Sequence, residues 1–130
     1  MESVEADVEP YLQAWMAFRA ETRCEVLQVE RRVFDPMLMV AGTLDRVLRL
    51  DGKKVLVDLK TSIATPHTVG AQTAAYMRLL GDATVAHRAA LRLRPDGSYR
   101  LDMLTGADDL AVFMACVTLN RYLEKHTREQ

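Results

Sequence analysis

What this chain of 130 residues lacks removes several classes of chemistry. No stretch approaches the ~20 consecutive apolar residues of a transmembrane helix, so no membrane partner is expected. The opening Met-Glu-Ser-Val-Glu-Ala-Asp is acidic, where a secretory signal starts basic and runs apolar. The expectation is a soluble, cytoplasmic protein. Cysteine is scarce: Cys24 and Cys116 stand far apart, each in a segment with other apolar residues, with no CxxC and no Cys/His cluster. Zinc is therefore not expected, and both thiols read as free and buried. Nor is there a glycine-rich phosphate loop. An excess of one charge is missing too, with 17 basic against 18 acidic residues and a formal net charge of −1. That argues against a strongly basic nucleic-acid coat. It does not exclude a local basic track, and metal-binding carboxylates lower the total. Repeats, low-complexity tracts and linkers are all absent. With 49% hydrophobic and 27% charged residues, residues 1–130 read as one ordinary domain.

What is there is a clear succession of elements. Val8, Leu12, Trp15, Met16 and Phe18 recur at helical spacing and predict a helix over 8–22. Residues 26–34 read as a strand, and Asp35-Pro36 as a turn. A second strand covers 39–50 and a third 53–61, joined at Asp51-Gly52, a strong two-residue hairpin signal. Residues 69–80 form a helix that Gly81 stops. Strands 85–94 and 98–104 make a second hairpin around Pro95-Asp96-Gly97. A helix over 107–125 starts at Asp108-Asp109, and its apolar residues Leu110, Phe113, Met114, Val117 and Leu119 predict packing on the sheet. The order αβββαββα implies an α/β fold, a mixed sheet flanked by helices.

Hairpin arithmetic then brings acidic residues together. With Asp51 and Gly52 as the loop, Leu50 pairs with Lys53 and Arg49 with Lys54. Continued, this register sets Asp45 opposite Asp58 and Thr43 opposite Lys60. Val47 meets Leu56 on the same face, and Leu44 meets Leu59 on the other. Directly opposed side chains share a face, ~4.5–5.5 Å apart at Cβ, and alternation puts Lys60 on that face as well. The third strand is apolar on both faces before Asp58, the mark of a central strand. Two opposed, buried carboxylates are unfavourable unless compensated. Lys60 offers one positive charge, and a hard divalent cation offers more. If Asp35–Leu38 form the first loop, Glu30 falls opposite Thr43 and joins the same row, though a one-residue slip would turn it away. A DxK triplet alone is more often an exposed ion pair. The opposed Asp45 and the buried flanks favour a site.

These residues match a family pattern. Gly42-Thr43-Leu44-Asp45, then Asp58-Leu59-Lys60, then Gln72 and Tyr76 four residues apart, resemble the GxxD, (D/E)xK and QxxxY motifs of the PD-(D/E)XK nuclease superfamily. The nearest likeness is to its RecB-like and phage exonuclease branch, and it spans residues 30 to 80. The resemblance implies a restriction-endonuclease-like core and a metal-dependent nuclease, an exonuclease of DNA recombination, repair or phage DNA processing in a bacterial or phage-infected cell. It implies that Asp45, Asp58 and the Leu59 carbonyl bind Mg2+, with Mn2+ able to substitute and Ca2+ supporting less activity. Lys60 would position or activate the attacking water, and Gln72 and Tyr76 would approach the nucleic-acid backbone. Many relatives carry a further ligand on a helix before the first strand. Glu21 and Glu25 lie near that place, but Glu30 is the choice here on geometry.

The remaining candidates are weaker. Thr61 and Ser62 are candidate phosphate contacts, and equally ordinary strand-end polar residues. His67 beside Pro66 is more often bland than catalytic, and His87 and His126 carry no case. Arg88, Arg92 and Arg94 alternate on one strand with Arg100 nearby, either as a phosphate-binding strip or as a solvated face. Three functions are therefore compared: an active nuclease on DNA, a non-catalytic DNA-binding or assembly module of the same fold, and a phosphoesterase of small substrates. A lone small domain has little surface to grip DNA, which leaves room for a homo-oligomer.

Overall fold

The computed structural model describes residues 2–61 and 68–129. Its elements run α1 (Glu2–Thr22), β1 (Glu25–Asp35), β2 (Val40–Leu50), β3 (Lys53–Lys60), α2 (Thr68–Leu80), β4 (Val85–Leu93), β5 (Tyr99–Met103) and α3 (Asp109–Glu129). The five strands form one sheet in sequence order, antiparallel except for the β3–β4 pair. That parallel pair is the one joined through a helix, α2, because a parallel neighbour needs a crossover connection. The expected α/β order αβββαββα and the mixed sheet are as observed.

Local chemistry fixes the turns. Asp51 and Gly52 both have positive φ, 49° and 78°, as a two-residue primed turn requires. The first loop is held by Asp35, whose Oδ1 accepts from the amides of Met37 (2.8 Å) and Leu38 (3.1 Å). Asp35 itself pairs with Val40, so the loop residues are Pro36–Met39, not Asp35–Leu38. Gly81 stops α2 with φ 67° and donates its amide to Met77. Asp96 closes the second hairpin by accepting from the Ser98 amide and hydroxyl.

Each face of the sheet carries its own core. On one, Ala14 and Phe18 of α1 pack with Leu48, Val55, Val57, Ala89 and Leu91. On the other, Leu79 of α2, with Tyr76 and Met77, packs on Val33, Leu44, Val47 and Leu56. β3 lies in the middle, buried from Val55 to Asp58. The apolar residues expected to line α1 divide between two sides. Tyr11, Ala14, Trp15 and Phe18 face the sheet, while Val8, Leu12 and Met16 form an exposed stripe. A helix can present only one arc to a sheet.

Two further expectations are corrected. α3 packs chiefly on α2 rather than on the sheet. Phe113, Met114 and Val117 are half-buried there, while Leu110 and Leu119 stay exposed. α2 already covers this face, so α3 forms an outer layer. For the same reason Cys116 on α3 is exposed, and only Cys24 is a buried thiol. No helix among the described residues is long and apolar enough to cross a membrane.

Candidate functional site

The β2–β3 hairpin keeps its expected register from Leu50↔Lys53 to Arg46↔Val57. There the ladder stops, one step short of the two aspartates. The Asp45 carboxylate takes over: its Oδ2 accepts the Leu59 amide at 2.9 Å. β2 and β3 therefore separate at the point where Asp45 and Asp58 meet. Thr43 and Lys60 are not paired, and Leu44 packs on the α2 face rather than against Leu59, which lies with the α1-side core.

Asp58 is almost fully buried, at 5% exposure. The Lys60 ammonium stands 3.0 Å from its Oδ2. That oxygen is nevertheless sealed from solvent and accepts no aligned hydrogen bond among the described residues. The contact is an ion pair of short distance and poor direction. Burial pushes the Asp58 carboxyl above its usual range. Lys60 pulls it back, and Asp45 pushes it up again as hydrogen-bond neighbour and as like charge. Two carboxyl groups and one ammonium thus share the open end of the hairpin. A buried carboxylate oxygen without an aligned donor, beside a second carboxylate, suits a hard divalent cation.

Glu30 is placed differently from its expected position. The first hairpin runs Asp35↔Val40 through Arg31↔Leu44, so Thr43 pairs with Arg32. Glu30 then occupies the position across from Asp45, but it is exposed and its backbone is left-handed, with φ 46°. The described residues contain no group of three His, Cys, Asp or Glu side chains placed to hold a metal. Glu30 therefore does not join Asp45 and Asp58 in such a group. Glu21 is engaged elsewhere, accepting from the Tyr99 hydroxyl, and Glu25 pairs with Arg49 at 3.3 Å.

Gln72 and Tyr76 do come together, the Gln72 amide donating to the Tyr76 hydroxyl at 3.1 Å. Tyr76 also lies on Gly42, where an added Cβ would sit 2.7 Å from its Cε1. This joins the first and third motifs physically. The spacing of the motifs carried no sign of that contact, though a glycine within a strand commonly marks a close approach.

Thr61 is exposed just past β3. Ser62 and His67 lie outside the described residues. The arginine strip is not a row of free cations. Arg88 donates to the Gly70 carbonyl (2.7 Å), the Thr73 hydroxyl (3.2 Å) and the Asp109 carboxylate (2.9 Å), tying β4 to α2 and α3. Arg92 and Arg100 both approach Asp102, at 3.6 and 2.7 Å. Arg88 and Arg92 are thus matched to acids that the fold brings near, and Arg100 to an acid two residues along its own strand.

Comparison with known proteins adds little to this geometry. No family model matches the chain, and no curated protein does. A solved structure entitled "Crystal structure of SSO0001" is similar at 14% identity and a TM-score of 0.46, over 87% of this chain. The chain spans 56% of the length of that one.

Proposed function

We propose that this chain is a divalent-metal-dependent nuclease of the PD-(D/E)XK type that hydrolyses phosphodiester bonds of DNA, acting as an exonuclease in recombination, repair or phage DNA processing. One observation carries the reading: the convergence of Asp45, Asp58 and Lys60 where β2 parts from β3. The order of the three motifs supports it, as does the contact between Gly42 and Tyr76 that links the first to the third.

In this reading Asp45, Asp58 and the Leu59 carbonyl would hold Mg2+ or Mn2+. The bound ion would supply Lewis acidity for phosphodiester hydrolysis. Lys60 has a compact, strongly hydrated ammonium with three donors. Held against Asp58, it orients the attacking water and stabilises charge developing on the phosphate. Asp45 fixes the chain at Leu59 through the amide hydrogen bond, and so sets where the Leu59 carbonyl and the Lys60 stem begin. Gln72 is exposed on α2 while the Tyr76 ring packs on the sheet, and the bonded pair of Gln72 amide and Tyr76 hydroxyl contacts the phosphate backbone, which positions but does not read sequence. Arg88 has no part in substrate binding, because its guanidinium is committed to α2 and α3.

The test is cleavage of linear and circular DNA in Mg2+, Mn2+, Ca2+ or EDTA. Cleavage is expected in the first two and absent in EDTA, and Lys60→Ala should lower the rate by about 10²–10³-fold, as loss of one charge-stabilising donor does. Attack confined to linear DNA identifies an exonuclease. DNA that is bound but left intact under every metal would overturn the enzyme reading in favour of a binding or assembly module.

A further inference from the structure

Residues two apart on a regular strand face the same way. β1 and β2 break this rule together. Leu44 packs on the α2 face, while Arg46 reaches the other side, its guanidinium 5.2 Å from the centre of the Trp15 ring on α1. Paired residues share a face, so β1 must turn over at the same level: Arg31 pairs with Leu44, and Val29 with Arg46. Between them Glu30 and Asp45 drop out of the ladder, although the register on either side is the same. Both strands thus exchange faces at one rung, and the backbone that permits it is the left-handed Glu30, φ 46°.

The exchange decides where Asp45 points. In unbroken alternation its side chain would stand on the face of Val47. At the rung where the strands turn over, its carboxylate instead reaches across toward β3 and takes the Leu59 amide, as a strand carbonyl otherwise would.

We infer that Glu30 is a positioning residue: through its left-handed backbone, and not through its carboxylate, it aims Asp45 at the Leu59 amide. The consequence for hydrolysis rests on the nuclease reading above, but the positioning itself does not. Left-handed backbone is open to glycine and closed to β-branched residues. Three substitutions therefore separate conformation from charge. Glu30→Gly keeps the turn-over and removes the side chain. Glu30→Gln keeps the side chain's shape and removes its charge. Glu30→Val favours the extended backbone and an unbroken ladder.

The reporter is the Leu59 amide in the metal-free protein, followed by amide hydrogen exchange and its proton chemical shift. Asp45→Ala calibrates it and should release this amide. Glu30→Val should raise Leu59 exchange by about tenfold or more through local opening, while Glu30→Gly and Glu30→Gln leave it within about threefold of wild type. Metal affinity by calorimetry should follow the same order. Should Glu30→Val fail to fold, Glu30→Gly still decides. Release of the Leu59 amide in the glycine variant, or retention in a folded valine variant, would overturn the inference. Loss of metal affinity in both Glu30→Gly and Glu30→Gln, with Leu59 still protected, would make Glu30 a ligand instead. None of these readouts requires DNA cleavage, so failure of the nuclease reading is distinguishable.

Discussion

Burying the Asp58 carboxyl beside Asp45 makes its contribution to stability depend on pH. Burial is the largest influence on it and raises its carboxyl above the ordinary value of 3.8. The fold therefore favours the protonated form. This group's contribution to stability is full below the unfolded value near 3.8 and is lost as pH rises through the raised folded value. In metal-free buffer at neutral pH, Asp58→Asn should melt at a higher temperature than wild type, and the gap should close as pH falls toward about 4. Thermal melts across pH check this, and an equal or lower melting temperature for the variant at neutral pH would mean that Lys60 outweighs burial. Gly42 sits at the same scale. Gly42→Ala drives a methyl into the Tyr76 ring, a small-to-large change expected to cost about 1–3 kcal/mol in urea denaturation. In a Tyr76→Ala background most of that cost should vanish, since the two residues touch.

At the scale of elements, the first turn of α3 is tied to α2 and β4 by polar contacts. The Asp109 carboxylate lies between Gly70 and Gly106, where added Cβ atoms would come within 2.7 Å of it, and Arg88 bonds it from β4. The Arg88 side chain is 11% exposed and that of Asp109 25%, so the pair is partly desolvated. Arg88→Ala or Asp109→Asn leaves buried polar groups unmatched and should destabilise by about 1–3 kcal/mol. The loss should appear first as faster amide exchange in the first turn of α3, with the β2–β3 hairpin unaffected. Equal exchange at both places would mean that α3 is not a separate unit. The elements themselves were largely legible in the sequence, because Asp51-Gly52, Gly81 and Pro95-Asp96-Gly97 carry turn chemistry that acts over a few residues. The packing of α1 and α3 was less so. Val8, Leu12 and Met16 on α1, and Leu110 and Leu119 on α3, have the right spacing, but which arc is covered depends on how far the sheet and α2 extend.

Over the whole molecule, a cation held by Asp45 and Asp58 would bind the folded chain and not the unfolded one. Such a ligand stabilises by mass action, by about 2.7 kcal/mol at a hundredfold excess over its Kd. Magnesium or manganese should therefore raise the melting temperature of wild type, and should fail to do so in Asp45→Asn and Asp58→Asn. A metal-independent melting temperature in wild type would remove the metal from the proposed mechanism without touching the fold.

Asp51-Gly52 alone set the β2–β3 register, and the alternation of Leu56, Asp58 and Lys60 set their common face. Although Asp45 reaches the Leu59 amide only because β1 and β2 turn over at its rung, its level opposite Asp58 follows from these local rules. The place of Glu30 does not, because it depended on a loop whose bounds Asp35 shifted, and on a left-handed residue that carries no glycine to mark it. The Tyr76–Gly42 contact and the pairing of Arg88 with Asp109 were equally hidden, since each joins residues distant in the chain. Period and turn chemistry act within a strand or a hairpin and so are written in the sequence. Which face is covered, which ladder breaks and which acid answers each arginine are settled only when separate elements pack against one another.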